Sequence, residues 1–409
     1  MNRRRLLGAS GAALPAVLLG RRAEASGARR WTHTWTAMPQ LTEPNNMPPA
    51  PFTGPDAVLV DTTLRQTVHV TVGGPRLRIR LSNAFGGTAL PITAAAVGLP
   101  AGGRAGVSGA TGLRPLTFGG RASVTVPAGA LIVSDPVGLP VPAGADLSIS
   151  LYLAAGQSGT ALTSHPGSRT TSYLVKGDAH DAPDLPGATP VDHWYLISGV
   201  EVSVPEATPD ALAIVGDSLT DGRGSTTNGN DRWPDQLFAL RPRRPVLNQA
   251  AGGNRVLNDG LGPNVLARLD RDVLATSGVG RMLIFEGVND IGTAPATPGG
   301  QRQVTDDLIA AFRQVVLRAH AEGIRAYGAT ITPFGGFTGY DDPDGRRERS
   351  RQEVNAALPG IVDRLVDFDA AVRDPADPRR LNPAYDVGDH LHMNPAGYAA
   401  LARAAVLAV

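Results

Sequence analysis

After Asp210 the chain settles into one repeating pattern, in which short, continuously apolar runs alternate with stretches of helical periodicity. The apolar runs lie at 211–215, 246–247, 281–285, 324–331 and 365–368, and the helical stretches at about 233–240, 265–275, 303–322, 348–362 and 395–408. A strand that is apolar throughout must be covered on both faces, and strands that return through a helix run parallel. The pattern therefore predicts a flavodoxin-like three-layer α/β/α domain over 211–409. In such sheets ligands bind at the carboxyl ends of the strands. The loops that directly follow each apolar run are the places to look for chemistry.

The first half reads differently. From 31 to 204 short alternating stretches recur between Gly and Pro, with almost no helical periodicity, which predicts a β-rich domain of the sandwich or jelly-roll kind. Thr67 to Val72 and Arg76 to Leu81 flank Gly73-Gly74-Pro75 and read as a hairpin. Two prolines in 205–210 block both helix and central strand, so this segment reads as a linker. Ahead of these domains, Arg3-Arg4-Arg5-Leu6-Leu7 opens a modestly apolar run that ends near Ala23-Glu24-Ala25, a small-x-small cleavage site. Residues 1–25 thus read as a signal peptide, and the paired arginines resemble a twin-arginine signal. The expected location is outside the cell. The run is too short and too interrupted to span a membrane.

Bulk composition narrows the partners. With 38 basic and 37 acidic residues the net charge is +1, so no global field steers the protein to nucleic acid or an anionic membrane. Cysteine is absent, which rules out disulfides and thiolate metal sites.

The strand-end loops carry a specific set of residues. Gly216-Asp217-Ser218 follows the first run, Asn248 to Asn254 the second, and Glu286-Gly287-Val288-Asn289-Asp290 the third. Near the C-terminus, Asp389-His390-Leu391-His392 precedes Asn394-Pro395, which are suited to cap and start the last helix. A serine hydroxyl needs an imidazole to take its proton, and the imidazole needs a carboxylate to fix its tautomer. Asp389 and His392 can be that pair. Charge developing on an attacked carbonyl oxygen needs donors already in place, and the N–H of Ser218, a glycine N–H and the Asn289 carboxamide can supply them.

These four segments, in this order, resemble the SGNH hydrolases, also called GDSL lipases and esterases. The resemblance covers 211–409 and implies Ser218 as nucleophile, Asp389 and His392 as its partners, and an oxyanion hole of Ser218, Gly253 and Asn289. Gly253 fits the glycine position best because it directly precedes Asn254, with Gly252 the neighbouring alternative. The β-rich half resembles the domain that precedes the hydrolase domain in some secreted bacterial members. The implied activity is hydrolysis of carboxylic esters through an acyl-enzyme, on short acyl chains such as acetyl groups of a polysaccharide. Lipase action or acyl transfer could use the same residues. No cofactor and no metal are called for, and the partner is an ester, either a small molecule or linked to polysaccharide.

Other readings compete for single features. Ser218 alone could be a helix cap. Asp217, adjacent to it, suits a turn-supporting role. His390-x-His392 could hold a metal but lacks a third ligand at suggestive spacing. Asp341 to Gly345 lacks the later Glu of a calcium loop and reads as an exposed turn. Arg76, Arg78 and Arg80 could face an anionic glycan or simply solvent, and Trp233 could line the site or pack. The competing whole-protein reading is a glycan- or wall-binding protein whose hydrolase-like half is a scaffold.

Overall fold

The computed structural model describes residues 28–409; the signal-peptide reading of residues 1–25 lies outside them. The regular structure of residues 29–205 is almost entirely antiparallel strand, joined by long loops. A four-stranded sheet contains Arg29–Thr36, Ile197–Pro205, Leu77–Ser82 and Leu131–Val133, in that spatial order. A six-stranded sheet is centred on Thr62–His69 and Asp146–Leu153, which pair along their full lengths. Leu77, Ile79 and Leu81 of the first sheet and Leu64, Val68, Ile149 and Leu151 of the second are fully buried in one continuous core.

The expected hairpin across Gly73-Gly74-Pro75 does not form. Thr62–His69 belongs to the six-stranded sheet and Leu77–Ser82 to the four-stranded one, so the connection crosses between sheets. The glycines serve close approach instead. A Cβ on Gly73 would lie 2.1 Å from the Val141 carbonyl oxygen, and the N–H of Gly74 bonds that same oxygen at 3.0 Å.

From Ala211 the chain forms a five-stranded, wholly parallel sheet. Its strands are Ala211–Gly216, Val246–Ala250, Val279–Phe285, Arg325–Ala329 and Arg364–Val366, arranged spatially as second, first, third, fourth, fifth. This is the flavodoxin order, with its topological switch at the first strand. All six residues of the first strand are buried, which explains why it reads as a continuous apolar run. Five of the intervening helices match the periodic stretches, the longest being Pro298–Ala321. Short helices at Ser218–Asp221, Val288–Thr293 and Phe368–Val372 carry too few turns to leave a periodic signature.

The two halves interlock. Thr36 donates to the Asn248 carbonyl oxygen at 3.1 Å, and the N–H of His33 donates to that of Ser277 at 3.1 Å. The Ser277 hydroxyl then donates to the fully buried Glu201 at 2.5 Å. Arg78 and Arg80 also converge on Glu201. Burial pushes the Glu201 carboxyl up, but its bond to Arg78, the neighbouring His33 and the bond from Ser277 bring it down to about 2. Two of the three strand arginines thus anchor the domain junction.

Candidate active site

The loop after the first parallel strand turns at Asp217, whose carboxylate accepts the Leu219 N–H at 2.9 Å and caps the short helix that follows. Ser218 is the first residue of that helix rather than its cap. Its Oγ lies 2.8 Å from His392 Nε2. On the far side of the ring, Nδ1 is 2.6 Å from Asp389 Oδ2. The Oδ1 of Asp389 accepts the N–H groups of Leu391 (3.0 Å) and His392 (2.8 Å), so the turn itself locks the carboxylate beside the imidazole. With Nδ1 donating to Asp389, Nε2 is left as an acceptor for the serine proton.

Burial lowers the pKa of His392, against the raising influence of Asp389, and the charges of Arg223 and Arg169 lower it further. The ring is therefore neutral at pH 7 and able to accept a proton. Burial pushes Asp389 up, but its bonds to the His392 N–H, the His392 ring and the Leu391 N–H leave it below the usual carboxylate range.

Facing Ser218 are the other predicted residues. Gly253 has φ +70°, in the left-handed region, and a Cβ there would meet Leu261 Cδ1 at 2.7 Å. The positive φ is what calls for glycine at this position, since the exposed Leu261 side chain could move aside. The Gly252 N–H is committed to Asp221 Oδ2 at 3.0 Å, whereas among the described residues the N–H groups of Gly253 and Ser218 have no protein acceptor. That difference favours Gly253 over Gly252 as the free donor. Asn289 Nδ2 donates one hydrogen to the Asn254 carbonyl oxygen at 2.9 Å, and its second hydrogen is uncommitted.

Residues without a motif complete the arrangement. The Tyr340 hydroxyl donates to Asn289 Oδ1 at 2.7 Å and so fixes which end of the carboxamide is the donor. Asp290 accepts the N–H groups of Val256 and Leu257, each at 2.9 Å, tying the helix that carries Asn289 to the loop that carries Gly253. Asp221, one turn beyond Ser218, bonds His165 Nε2 at 2.9 Å through its other oxygen. His165 comes from the β-rich half, and its Nδ1 faces the Met38 carbonyl oxygen at 3.0 Å. Both ring nitrogens thus face oxygen atoms.

Beneath the site two buried carboxyls, Asp217 and Glu286, stand at strand ends. Burial pushes Asp217 up to about 7, with Asp290 and Asp221 adding to the shift. Burial and the neighbouring Asp217 raise Glu286 well above its ordinary value, opposed by Arg268. Among the described residues both oxygens of Glu286 and one of Asp217 have no hydrogen-bond partner, although Arg268 Nη2 lies 3.7 Å from Glu286 Oε1.

The cleft above Ser218 has a volume of about 460 Å³. Its lining comes from both halves, with Leu261, Phe337 and Tyr340 from the hydrolase half and Gln40, Glu43, Arg169 and His193 from the β-rich half. Trp233 lies elsewhere: it is fully buried, edge-on to Phe368, and its Nε1 donates to Thr220 at 3.2 Å. His390 bonds Asp386 at 2.7 Å and does not converge with His392 on a common centre. Among the described residues no group of three or more His, Asp or Glu side chains is arranged to hold a metal ion. Asp342 accepts the N–H groups of Arg346 and Arg347 at the start of a helix, which accounts for the acidic turn.

A serine, a histidine and free N–H donors are thus gathered at the carboxyl edge of a parallel sheet of this order, an arrangement chemically suited to attack on a carbonyl group. Residues 214–400 match the model of the GDSL-like lipase/acylhydrolase family. No curated protein matches. Among solved structures, the chain is similar to an acetylxylan esterase from Geobacillus stearothermophilus, at 21% identity over 49% of this chain and 94% of that one, TM-score 0.37. It is also similar to a GDSL-like lipase from Bacteroides thetaiotaomicron, at 17% identity over 49% of this chain and 89% of that one, TM-score 0.38.

Proposed function

We propose that the protein is a secreted serine esterase that cleaves short-chain carboxylic esters, acetyl esters of saccharides foremost, through an acyl-enzyme. The observation that carries this reading is the unbroken chain Ser218–His392–Asp389, with bonds of 2.8 and 2.6 Å, facing free donors at Gly253 and Asn289. Ser218 Oγ attacks the ester carbonyl while His392 Nε2 takes its proton. Asp389 stabilises the imidazolium that forms. The N–H groups of Ser218 and Gly253 and the free Asn289 hydrogen receive the negative charge on the carbonyl oxygen. His392 then hands its proton to the departing alcohol, and water attacks the acyl-enzyme by the same route.

Two features support a small acyl group and a polar alcohol. Leu261 and Tyr340 adjoin two of the three oxyanion donors, Gly253 and Asn289, while Gln40, Glu43 and His193 add polar groups to the cleft lining. The N-terminal signal-like segment motivates export. The test is release of p-nitrophenol from p-nitrophenyl acetate, with a chain-length series beside it. Wild type should turn over the acetate and butyrate with kcat/KM falling for longer chains, and Ser218→Ala should lose at least about 10³-fold in kcat. Equal rates for wild type and the variant would remove Ser218 as the nucleophile.

A further inference from the structure

The β-rich half lines the cleft with a set of hydrogen-bond acceptors that its own bonds do not use up. Gln40 opens the short strand Gln40–Leu41, which pairs with Thr163–His165, and Asn46 ends the one-turn helix Pro44–Asn46 that follows. Between them, the Glu43 carboxylate accepts from Gln40 Nε2 at 2.5 Å through one oxygen and from Asn46 Nδ2 at 2.9 Å through the other. Both carboxamides thus turn their NH₂ ends to Glu43, which leaves their oxygen ends over. Among the described residues no protein donor reaches Gln40 Oε1 or Asn46 Oδ1, and each Glu43 oxygen keeps a lone pair.

These groups are braced from behind. Gln40 is buried, and so is Tyr195, whose hydroxyl donates to the Asn46 carbonyl oxygen at 2.7 Å. The same Tyr195 ring stands edge-on to His193, centroids 6.0 Å apart. His193 Nδ1 is committed to the Pro166 carbonyl oxygen at 2.8 Å, so Nε2 of the neutral ring is a further acceptor. All four polar side chains line the cleft that holds Ser218. One loop joins them to the oxyanion glycine: Leu261 adjoins Gly253, and a Cβ on Gly262 would lie 3.4 Å from Gln40 Oε1.

Oriented acceptors select a ligand that brings donors. An anion would meet the Glu43 charge, and an ammonium would meet Arg169 and Arg223 in the same cleft. Hydroxyl groups bring donors without charge, and two on neighbouring carbons can donate to the two oxygens of one carboxylate. A simple acyl group carries none, so the alcohol part of an ester must supply them. Resting on the esterase reading above, we propose that Gln40, Glu43, Asn46 and His193 form a subsite for a sugar ring with free neighbouring hydroxyls, carried on the alcohol part of the ester.

The test compares methyl xyloside bearing one O-acetyl group and two free hydroxyls with the same acetate in which both hydroxyls are replaced by hydrogen. Wild type should prefer the diol by about 10- to 100-fold in kcat/KM, the range of a hydrogen bond to a charged group. E43Q should reduce that ratio by about 10-fold. A wild-type ratio near one, with Ser218-dependent hydrolysis of p-nitrophenyl acetate, would overturn the subsite and leave the esterase intact. A high ratio that E43Q does not move would overturn the assignment to these residues, and faster turnover of an acetylated amino sugar with a free ammonium would overturn the choice of a neutral ring. Absence of any Ser218-dependent ester cleavage would overturn both the subsite and the esterase. The wild-type comparison needs no variant to fold.

Discussion

Asn289 shows how a donor is made at the scale of one residue. A carboxamide can present either end to a substrate, and only its NH₂ end can receive an oxyanion. Two contacts settle the orientation: the Tyr340 hydroxyl donates to Oδ1 at 2.7 Å and the Asn254 carbonyl accepts from Nδ2 at 2.9 Å. Burial raises the pKa of Tyr340, so the hydroxyl stays a donor through the neutral range. Tyr340→Phe should therefore lower kcat by about 10-fold, a fraction of the 10² to 10³ expected for deleting an oxyanion donor outright. KM for p-nitrophenyl acetate should change little, because the orientation matters most when charge develops. Steady-state kinetics on the two proteins measure the split, and a change in KM alone would assign Tyr340 to ground-state binding instead. Ser218, Gly253, Asn289, Asp389 and His392 were legible in the sequence because each sits in a short motif at a strand end. Tyr340 was not. It is 51 residues from Asn289, in an irregular loop whose sequence carries no periodic or motif signal.

At the scale of elements, the parallel strands end in acids that the solvent does not reach. The first strand runs into Asp217 and the third into Glu286, and the two strands are neighbours in the sheet, paired from Leu212 to Gly216. Two carboxyls placed side by side and buried cannot both ionise cheaply. A carboxyl whose folded pKa is raised stabilises the fold fully below its unfolded pKa and loses that contribution as pH rises through the folded value. For Asp217 the loss runs from its ordinary value of 3.8 to about 7, and Glu286 is shifted in the same direction. Glu286→Gln keeps the shape and removes one charge of the pair. The variant should gain thermal stability relative to wild type between about pH 5 and pH 8, with the larger Tm advantage at the higher pH. Thermal unfolding at both values tests this; a Tm difference that does not move with pH would mean Glu286 does not titrate there. The same strands explain what the sequence could reveal of the architecture. Ala211–Gly216 is buried along its whole length, so its covering on both faces was written in its composition. The crossing at Gly73-Gly74 was not, because a glycine pair looks alike whether it turns a hairpin or lets two backbones approach.

At the scale of the whole molecule, one chain of bonds runs from the β-rich half into the loop that carries the oxyanion glycine. The Met38 carbonyl oxygen faces His165 Nδ1, His165 Nε2 meets Asp221 Oδ1, and Asp221 Oδ2 holds the Gly252 N–H. Gly252 directly precedes the free donor at Gly253. His165 and Asp221 are only 4% and 3% exposed, so water cannot readily replace either partner. His165→Leu removes the side-chain partner of the buried Asp221 Oδ1, a loss of about 1–3 kcal/mol for a buried polar group left unsatisfied. His165→Gln retains one N–H toward Asp221 and gives a milder variant that should fold. A role confined to stability would lower Tm in both variants and leave the kcat of the folded enzyme untouched. A role in positioning Gly253 should lower kcat by about 10-fold or more, a partial loss of one oxyanion donor, with KM for p-nitrophenyl acetate held within about twofold. The His165→Gln variant should recover part of that kcat. Because p-nitrophenyl acetate is too small to need the far wall of the cleft, a kcat effect on this substrate isolates the relay from substrate binding by the β-rich half. Unchanged kcat in a variant with lowered Tm would confine the contact to domain adhesion.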